Sequence, residues 1–173
     1  MTAKPTVHAS AVLVGERAVL IRGPSGSGKS RLAFELILAG RSGQVPPAIL
    51  VGDDRVHLDT SGRNLIVRPA AELAGLIEIR GLGIRRIEHV GEAVVGLVVD
   101  LAAEDAERLP AAEALTLNID GVELPRIPVN LRFSPLPLIV AALTTTDGTG
   151  PSQPSADCRK GIGNHISPTI ATE

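Results

Sequence analysis

Apolar positions in this chain mostly alternate with polar ones or cluster in short bursts, and they fall into a helical spacing at one place in the first half. From His8 to Ile21, HASAVLVGERAVLI holds two apolar runs about Gly15-Glu16, which predicts two strands, the second leading into a glycine-rich stretch. After Ser30, RLAFELILAG is apolar at Leu32, Ala33, Leu36, Ile37 and Ala39, the spacing of one helix face. Gly40 is expected to end that helix in a left-handed conformation. Beyond Pro46-Pro47, AILVGDDRVHLDTSGRNLIVR reads as strands broken at Gly52-Asp53-Asp54 and at Ser61-Gly62.

The second half continues in the same style. LIEIRGLGIRRIEHV alternates and is then pinched by Gly81 and Gly83, and AVVGLVVDLA is a continuous run suited to a buried strand. EDAERLPAAEA reads as a charged, helix-like segment interrupted at Pro110, while LTLNIDGVELPRIPV is the strongest hairpin signal, with Asp120-Gly121 between alternating apolar residues. After Leu143 the chain turns to Thr, Ser, Gly and Pro. A domain over residues 1–143, its folded unit starting near residue 6, is therefore expected to precede a flexible polar tail over 144–173. Strands outnumber helices, unlike the regular alternation of doubly wound nucleotide folds.

Composition narrows the function. At 173 residues the chain fits one domain, and its 44% apolar share with only 1% aromatics implies an aliphatic core without base-stacking platforms. A net charge of -2 gives no general attraction to nucleic acid or to anionic membranes, so neither is an expected partner. One cysteine, Cys158, allows no internal disulfide and suits a reducing compartment. MTAKPTVHAS is too polar for a signal peptide and no apolar run nears a bilayer-spanning length, which makes the cytoplasm the expected location.

The strongest chemical signal is GPSGSGKS: Gly23, Pro24, Ser25, Gly26, Ser27, Gly28, Lys29 and Ser30. Between an apolar strand and an amphipathic helix, this G-x-x-x-x-G-K-S pattern cradles phosphates with backbone N–H groups. Lys29 is placed to reach the β/γ-phosphates and the Ser30 hydroxyl to bind Mg²⁺. Downstream, Asp53 and Asp54 end an apolar strand. One of them facing the phosphate fits metal binding, water ordering or general-base work; a backbone-bonded turn is the plainer alternative. Glu78 and Arg80 share a strand face, suited either to completing a Mg²⁺ shell or to a surface ion pair. His8 fits a proton shuttle, a phosphate contact or a structural role. Arg68, Arg108 and Arg126 read as solvated, and His57, His89 and His165 lack the spacing of zinc ligands.

Taken in order, His8, GPSGSGKS, LVGDDRV, LIEIRGLGI, ERLP and PVNLRF resemble the catalytic domain of the HPr kinase/phosphorylase family over roughly residues 8 to 143. The resemblance implies an α/β fold, the strand-rich phosphate-loop type of phosphoenolpyruvate carboxykinase and HPr kinase. It also implies a protein serine kinase that uses ATP and Mg²⁺ on the phosphocarrier HPr or a relative, and reverses the reaction with inorganic phosphate. On that basis Lys29 holds the transferring phosphate, and Ser30 with Glu78 holds Mg²⁺. Asp54 is the base and Asp53 supports it, while His8 and Arg108 stabilise charge around the transferred group. Residues 77–86 serve both directions and PVNLRF mainly dephosphorylation. The late loop lacks the family's Pro-Gly-Arg order and Arg132 is displaced by one position, which weighs against phosphorolysis more than against kinase activity. The polar tail stands where the family has helices that bind the partner and build a hexamer, so a homo-oligomer is left open here. Arg85-Arg86 replace apolar residues and suit an acidic partner. The competing readings are an ATP-binding regulator without turnover and a small-molecule kinase.

Overall fold

The computed structural model describes residues 5–148. The tail expected beyond Leu143 lies outside the described residues from position 149 onward. Ten strands and two α-helices follow one another: β1 (Ser10–Val14), β2 (Arg17–Arg22), α1 (Lys29–Arg41), β3 (Ala48–Gly52), β4 (Val56–Ser61), β5 (Asn64–Pro69), β6 (Leu76–Ile79), β7 (Gly83–Arg86), β8 (Ala93–Leu101), β9 (Thr116–Ile119), β10 (Val122–Val129) and α2 (Pro135–Thr144). The main sheet has the order β3-β1-β2-β8-β10-β9, with β5 pairing the start of β8 and β4 pairing β5; β6 and β7 form a separate hairpin.

The long run AVVGLVVDL sits at the centre because both of its faces are buried. Val95 and Val98 pack on one side with Leu20, Leu65 and Val67, while Leu97, Val99 and Leu101 pack on the other with Ile21, Leu32 and Leu36. Its continuous apolar character matches a strand paired in parallel with both β2 and β10. Helix α1 contributes Leu32, Leu36 and Ile37 to the second layer, each at 3% exposure or less. Burial of each such side chain stabilises the fold by about 1.5–3 kcal/mol.

Two expectations need correcting, and one element was not foreseen. Gly40 does not end α1; it lies within the helix, because a Cβ there would meet Ala48 N and Cβ at 2.7 Å where the helix approaches β3. The left-handed residue is Gly43, at φ 74, and Ser42 N–H caps the helix by donating to the Leu38 carbonyl. EDAERLPAAEA is not an α-helix. It forms turns and a short 3-10 turn over Ala112–Leu115, since Ala102 takes φ 57, Pro110 cannot donate, and Asp105 is held by Arg126. A ten-residue helix, α2, follows PVNLRF in a segment for which the sequence reading named no element; it begins with proline in its first turn and buries Ile139.

The hairpins follow the local chemistry. Asp120 at φ 50 and Gly121 at φ 85 make the tight turn joining β9 to β10, with Asn118 Oδ1 accepting the Gly121 N–H at 2.9 Å. Strand directions then place one edge of the molecule for chemistry. β2, β8 and β10 are parallel, β1 runs against β2, and β3 runs against β1. The carboxyl ends of β2, β3, β8 and β10 and the amino end of β1 therefore share one edge, where open α/β sheets hold ligands.

Candidate active site

A cleft of about 810 Å³ opens at that edge, a size suited to a small-molecule ligand. Its floor is the loop from Ser25 to Ser30 and the first turns of α1; its walls bring in His8, Asp54, Glu78 to Arg80, Leu101-Ala102, and the segment from Val129 to Pro135. Residues spread over nearly the whole described chain converge because each stands at a strand end on the same edge.

The loop is built for an anion. Gly23 takes φ 148, and a Cβ there would lie 2.7 Å from Ser27 Oγ and 2.9 Å from the Leu101 carbonyl, so only glycine lets the loop pass the end of β8. Gly28 caps α1 at φ 96 without a side-chain hydrogen bond, and no acidic residue stands in the first turn. The positive end of the helix dipole is left to the cleft. Ser27 Oγ is buried there without a hydrogen-bond partner. Lys29 is 6% exposed and donates to the carbonyls of Gly23 at 2.9 Å and Pro24 at 3.0 Å. Burial pulls its ammonium below the usual lysine range, a pull that Asp53 and Asp54 partly offset. An uncapped helix start, an orphaned hydroxyl and a desolvated ammonium together fit phosphate oxygens.

The two aspartates separate as strongly as the chain allows. Both lie in the turn after β3. Asp53 turns inward at 3% exposure, while Asp54 turns outward onto the cleft wall. Asp54 holds φ 65, and the turn around it is closed by Arg55 N–H donating to the Asp53 carbonyl at 2.8 Å. Left-handed, three-residue turns at a non-glycine residue are strained and are held in place by surrounding structure. His8 Nε2 stands 3.2 Å from Asp54 Oδ1. This carboxylate, solvent-accessible and next to an imidazole, is well placed to accept or return a proton.

Glu78, in β6, and Arg80, in the turn just past it, both line the cleft, so the strand face expected to carry both holds Glu78 alone. Among the described residues no three His, Cys, Asp or Glu side chains gather as a metal cage. Mg²⁺ bound together with nucleotide phosphates needs only one or two protein oxygens, which Ser30 and Glu78 offer from the same cleft. Arg108 sits on an exposed turn and is not part of the cleft wall. Arg132, in contrast, lines it, where the backbone of the late loop folds on Asn130: its Oδ1 accepts Arg132 N–H at 3.0 Å and its carbonyl accepts Phe133 N–H at 3.0 Å.

Two features were not evident from the residue pattern. Arg126, read as solvated, is 12% exposed; its Nε donates to Asp100 Oδ2 at 2.6 Å and its Nη1 to Asp105 Oδ2 at 2.6 Å. Arg22, the last residue before the phosphate loop, grips the same Asp100 with Nε at 2.7 Å and Nη2 at 2.8 Å. Burial pushes the Asp100 carboxyl up, but the hydrogen bonds from Arg22 and Arg126 outweigh it and hold the group below the usual carboxylate range. The second feature is Ser10, whose hydroxyl donates to Asp53 Oδ1 at 2.5 Å. A polar residue between two alanines at the start of an apolar strand was the available signal for it.

Comparison with known proteins places this arrangement. The family described as HPr Serine kinase C-terminal domain matches residues 1–135. An HPr kinase/phosphorylase of Neisseria meningitidis is 34% identical over 148 residues, covering 81% of this chain and 43% of that protein. One of Mycoplasma mycoides is 32% identical over 150 residues, covering 79% of this chain and 46% of that protein. The chain thus spans less than half the length of these relatives. Among solved structures, the Hpr(Ser) kinase/phosphatase from Coxiella burnetii superposes with a TM-score of 0.64 at 29% identity, covering 81% of this chain and 93% of that one. The strand-rich fold is thus shared with a solved structure of that kind, and the chain belongs to the HPr serine kinase C-terminal domain family.

Proposed function

We propose that this chain is an ATP- and Mg²⁺-dependent protein serine kinase that acts on HPr or an HPr-like phosphocarrier of the phosphotransferase system, in the cytoplasm. The observation that carries the reading is Asp54: a strained turn presents its carboxylate to the cleft wall, beside His8 and over the floor that holds Lys29. A protein that only bound nucleotide would have no need of such a group. The relatives' names, HPr kinase/phosphorylase, give the partner its class.

ATP, when bound, supplies the γ-phosphoryl group. Lys29 and the loop N–H groups from Ser25 to Ser30 would neutralise and orient phosphate oxygens, while Ser30 and Glu78 would hold Mg²⁺ by hard oxygen donors. Asp54 takes the proton from the acceptor serine, and His8, beside that carboxylate, helps stabilise charge around the transferred group. Asp53 holds the base from behind. Arg80 and Arg132 supply positive charge from the walls, and the family resemblance adds Arg108 from outside them. A preorganised anion site stabilises the same transition state from either side, so inorganic phosphate can drive the reverse reaction. The presence of Asn130 and Arg132 in the cleft supports that direction too.

The test is transfer from labelled ATP with Mg²⁺ to the HPr-like protein of the same cell. Label on the carrier supports the kinase. Bound nucleotide with no label moved would favour a regulator without turnover, and label on a small metabolite would favour the small-molecule alternative.

A further inference from the structure

Ser10 is an unusual residue for its place. It stands in β1 between Ala9 and Ala11, all three without solvent exposure, in a strand paired on both sides. A buried hydroxyl is costly unless it is hydrogen-bonded, and an alanine would fit the same backbone. The hydroxyl donates to Asp53 Oδ1, and the other oxygen of Asp53 accepts the backbone N–H of Glu78 at 3.1 Å. One carboxylate therefore joins three elements: β1, the turn after β3, and β6. A register irregularity between β1 and β3 at Ala11/Val12 re-aims the end of β3 just before that turn.

The two residues attached to this clamp are those whose placement matters most to phosphoryl transfer. Asp54 is the next residue along the chain, in a strained turn that needs external support. Glu78 is fixed through its own amide. We propose that Ser10 is a positioning residue: acting through Asp53, its hydroxyl sets the placement of Asp54 and Glu78 relative to each other without touching substrate. The kinetic consequence rests on the transfer reaction proposed above, whereas the clamp itself belongs to the free protein.

Two readouts separate these. In the free protein, Ser10→Ala should speed hydrogen exchange at the Glu78 amide about tenfold or more beyond any change at the buried amides of β8, because Asp53 loses its anchor. In the transfer assay, the same variant should lower kcat by about 10- to 100-fold while ATP affinity stays within about twofold. Ser10→Thr, which keeps the hydroxyl, should restore both, and Val12→Ala, a core change in the same strand, should alter neither selectively. Unchanged Glu78 exchange in Ser10→Ala overturns the clamp. An equal kcat loss in Val12→Ala at matched melting temperature overturns the positioning role. If the wild type labels no carrier although Glu78 exchange responds to Ser10→Ala, the transfer reading fails, and with it the kinetic half of this proposal.

Discussion

At the scale of single residues, the account turns on what Asp54 and Gly23 each do. Asp54→Asn keeps the size and the turn but cannot accept a proton. It should leave nucleotide affinity nearly intact while lowering transfer by about 10²- to 10⁴-fold, the usual worth of a general base; transfer at the wild-type rate would remove the base assignment. Gly23→Ala should act differently, through the loop. Its Cβ would lie within 3 Å of Ser27 Oγ and the Leu101 carbonyl, so the loop must shift, at a cost of about 1–3 kcal/mol for a strained backbone. Calorimetric binding of ATP should weaken along with transfer, and full affinity in this variant would show that the loop does not need that close approach. Lys29, Ser30 and one acid of the Asp53-Asp54 pair were legible as cleft residues from local pattern, a helix start after glycines and an acid at a strand end, whereas the choice of Asp54 and the metal role of Glu78 rested on the family resemblance. Ser10 and Arg126 were hidden, because their roles depend on partners 43 and 26 residues away that only the folded sheet brings close.

At the scale of elements, the Arg22–Asp100–Arg126–Asp105 chain fastens the end of β2, and so the root of the phosphate loop, to the end of β8 and the middle of β10. Asp100 is 13% exposed and shared by two arginines, so Asp100→Ala strips the part-buried Arg22 of its carboxylate and leaves Arg126 with Asp105 alone, and should cost about 1–3 kcal/mol in chemical denaturation. Because the folded-state pKa of Asp100 is depressed, its contribution is fully present above the unfolded carboxylate value of about 3.9 and is lost as pH falls below it toward the folded value. The stability gap between wild type and Asp100→Asn should therefore be constant near neutrality and shrink below about pH 4; a gap that does not change there would place the carboxylate outside the network. Strands and hairpins were readable at this scale since their period and turn residues are local. The extent of α1 was not, because Gly40 serves close packing against Ala48 in place of a helix stop. The segment EDAERLPAAEA has helical composition, but a distant arginine and a proline hold it in turns.

At the scale of the whole molecule, one sheet edge of the described residues gathers four carboxyl strand ends, one amino strand end and the mouth of the phosphate loop, so a chain with an aliphatic core still presents its polar groups in one cleft there. The phosphate loop and the acidic turn foretold that site; the pairing order that brings PVNLRF against them did not follow from periodicity, which is blind to which strands become neighbours. The exposed Leu82 and Ile84 of the β6–β7 hairpin, with Arg85 and Arg86, leave a mixed apolar and basic surface on the hairpin that also carries Glu78. The central claim is that this site moves a phosphoryl group from ATP onto a serine of a phosphocarrier protein. Its most direct test is to incubate the chain with labelled ATP, Mg²⁺ and the HPr-like protein of the same cell, and to map the modified residue by mass spectrometry. The account predicts phosphoserine on the carrier, lost when that serine is replaced by alanine; an unmodified carrier, with ATP bound in the cleft, would contradict it.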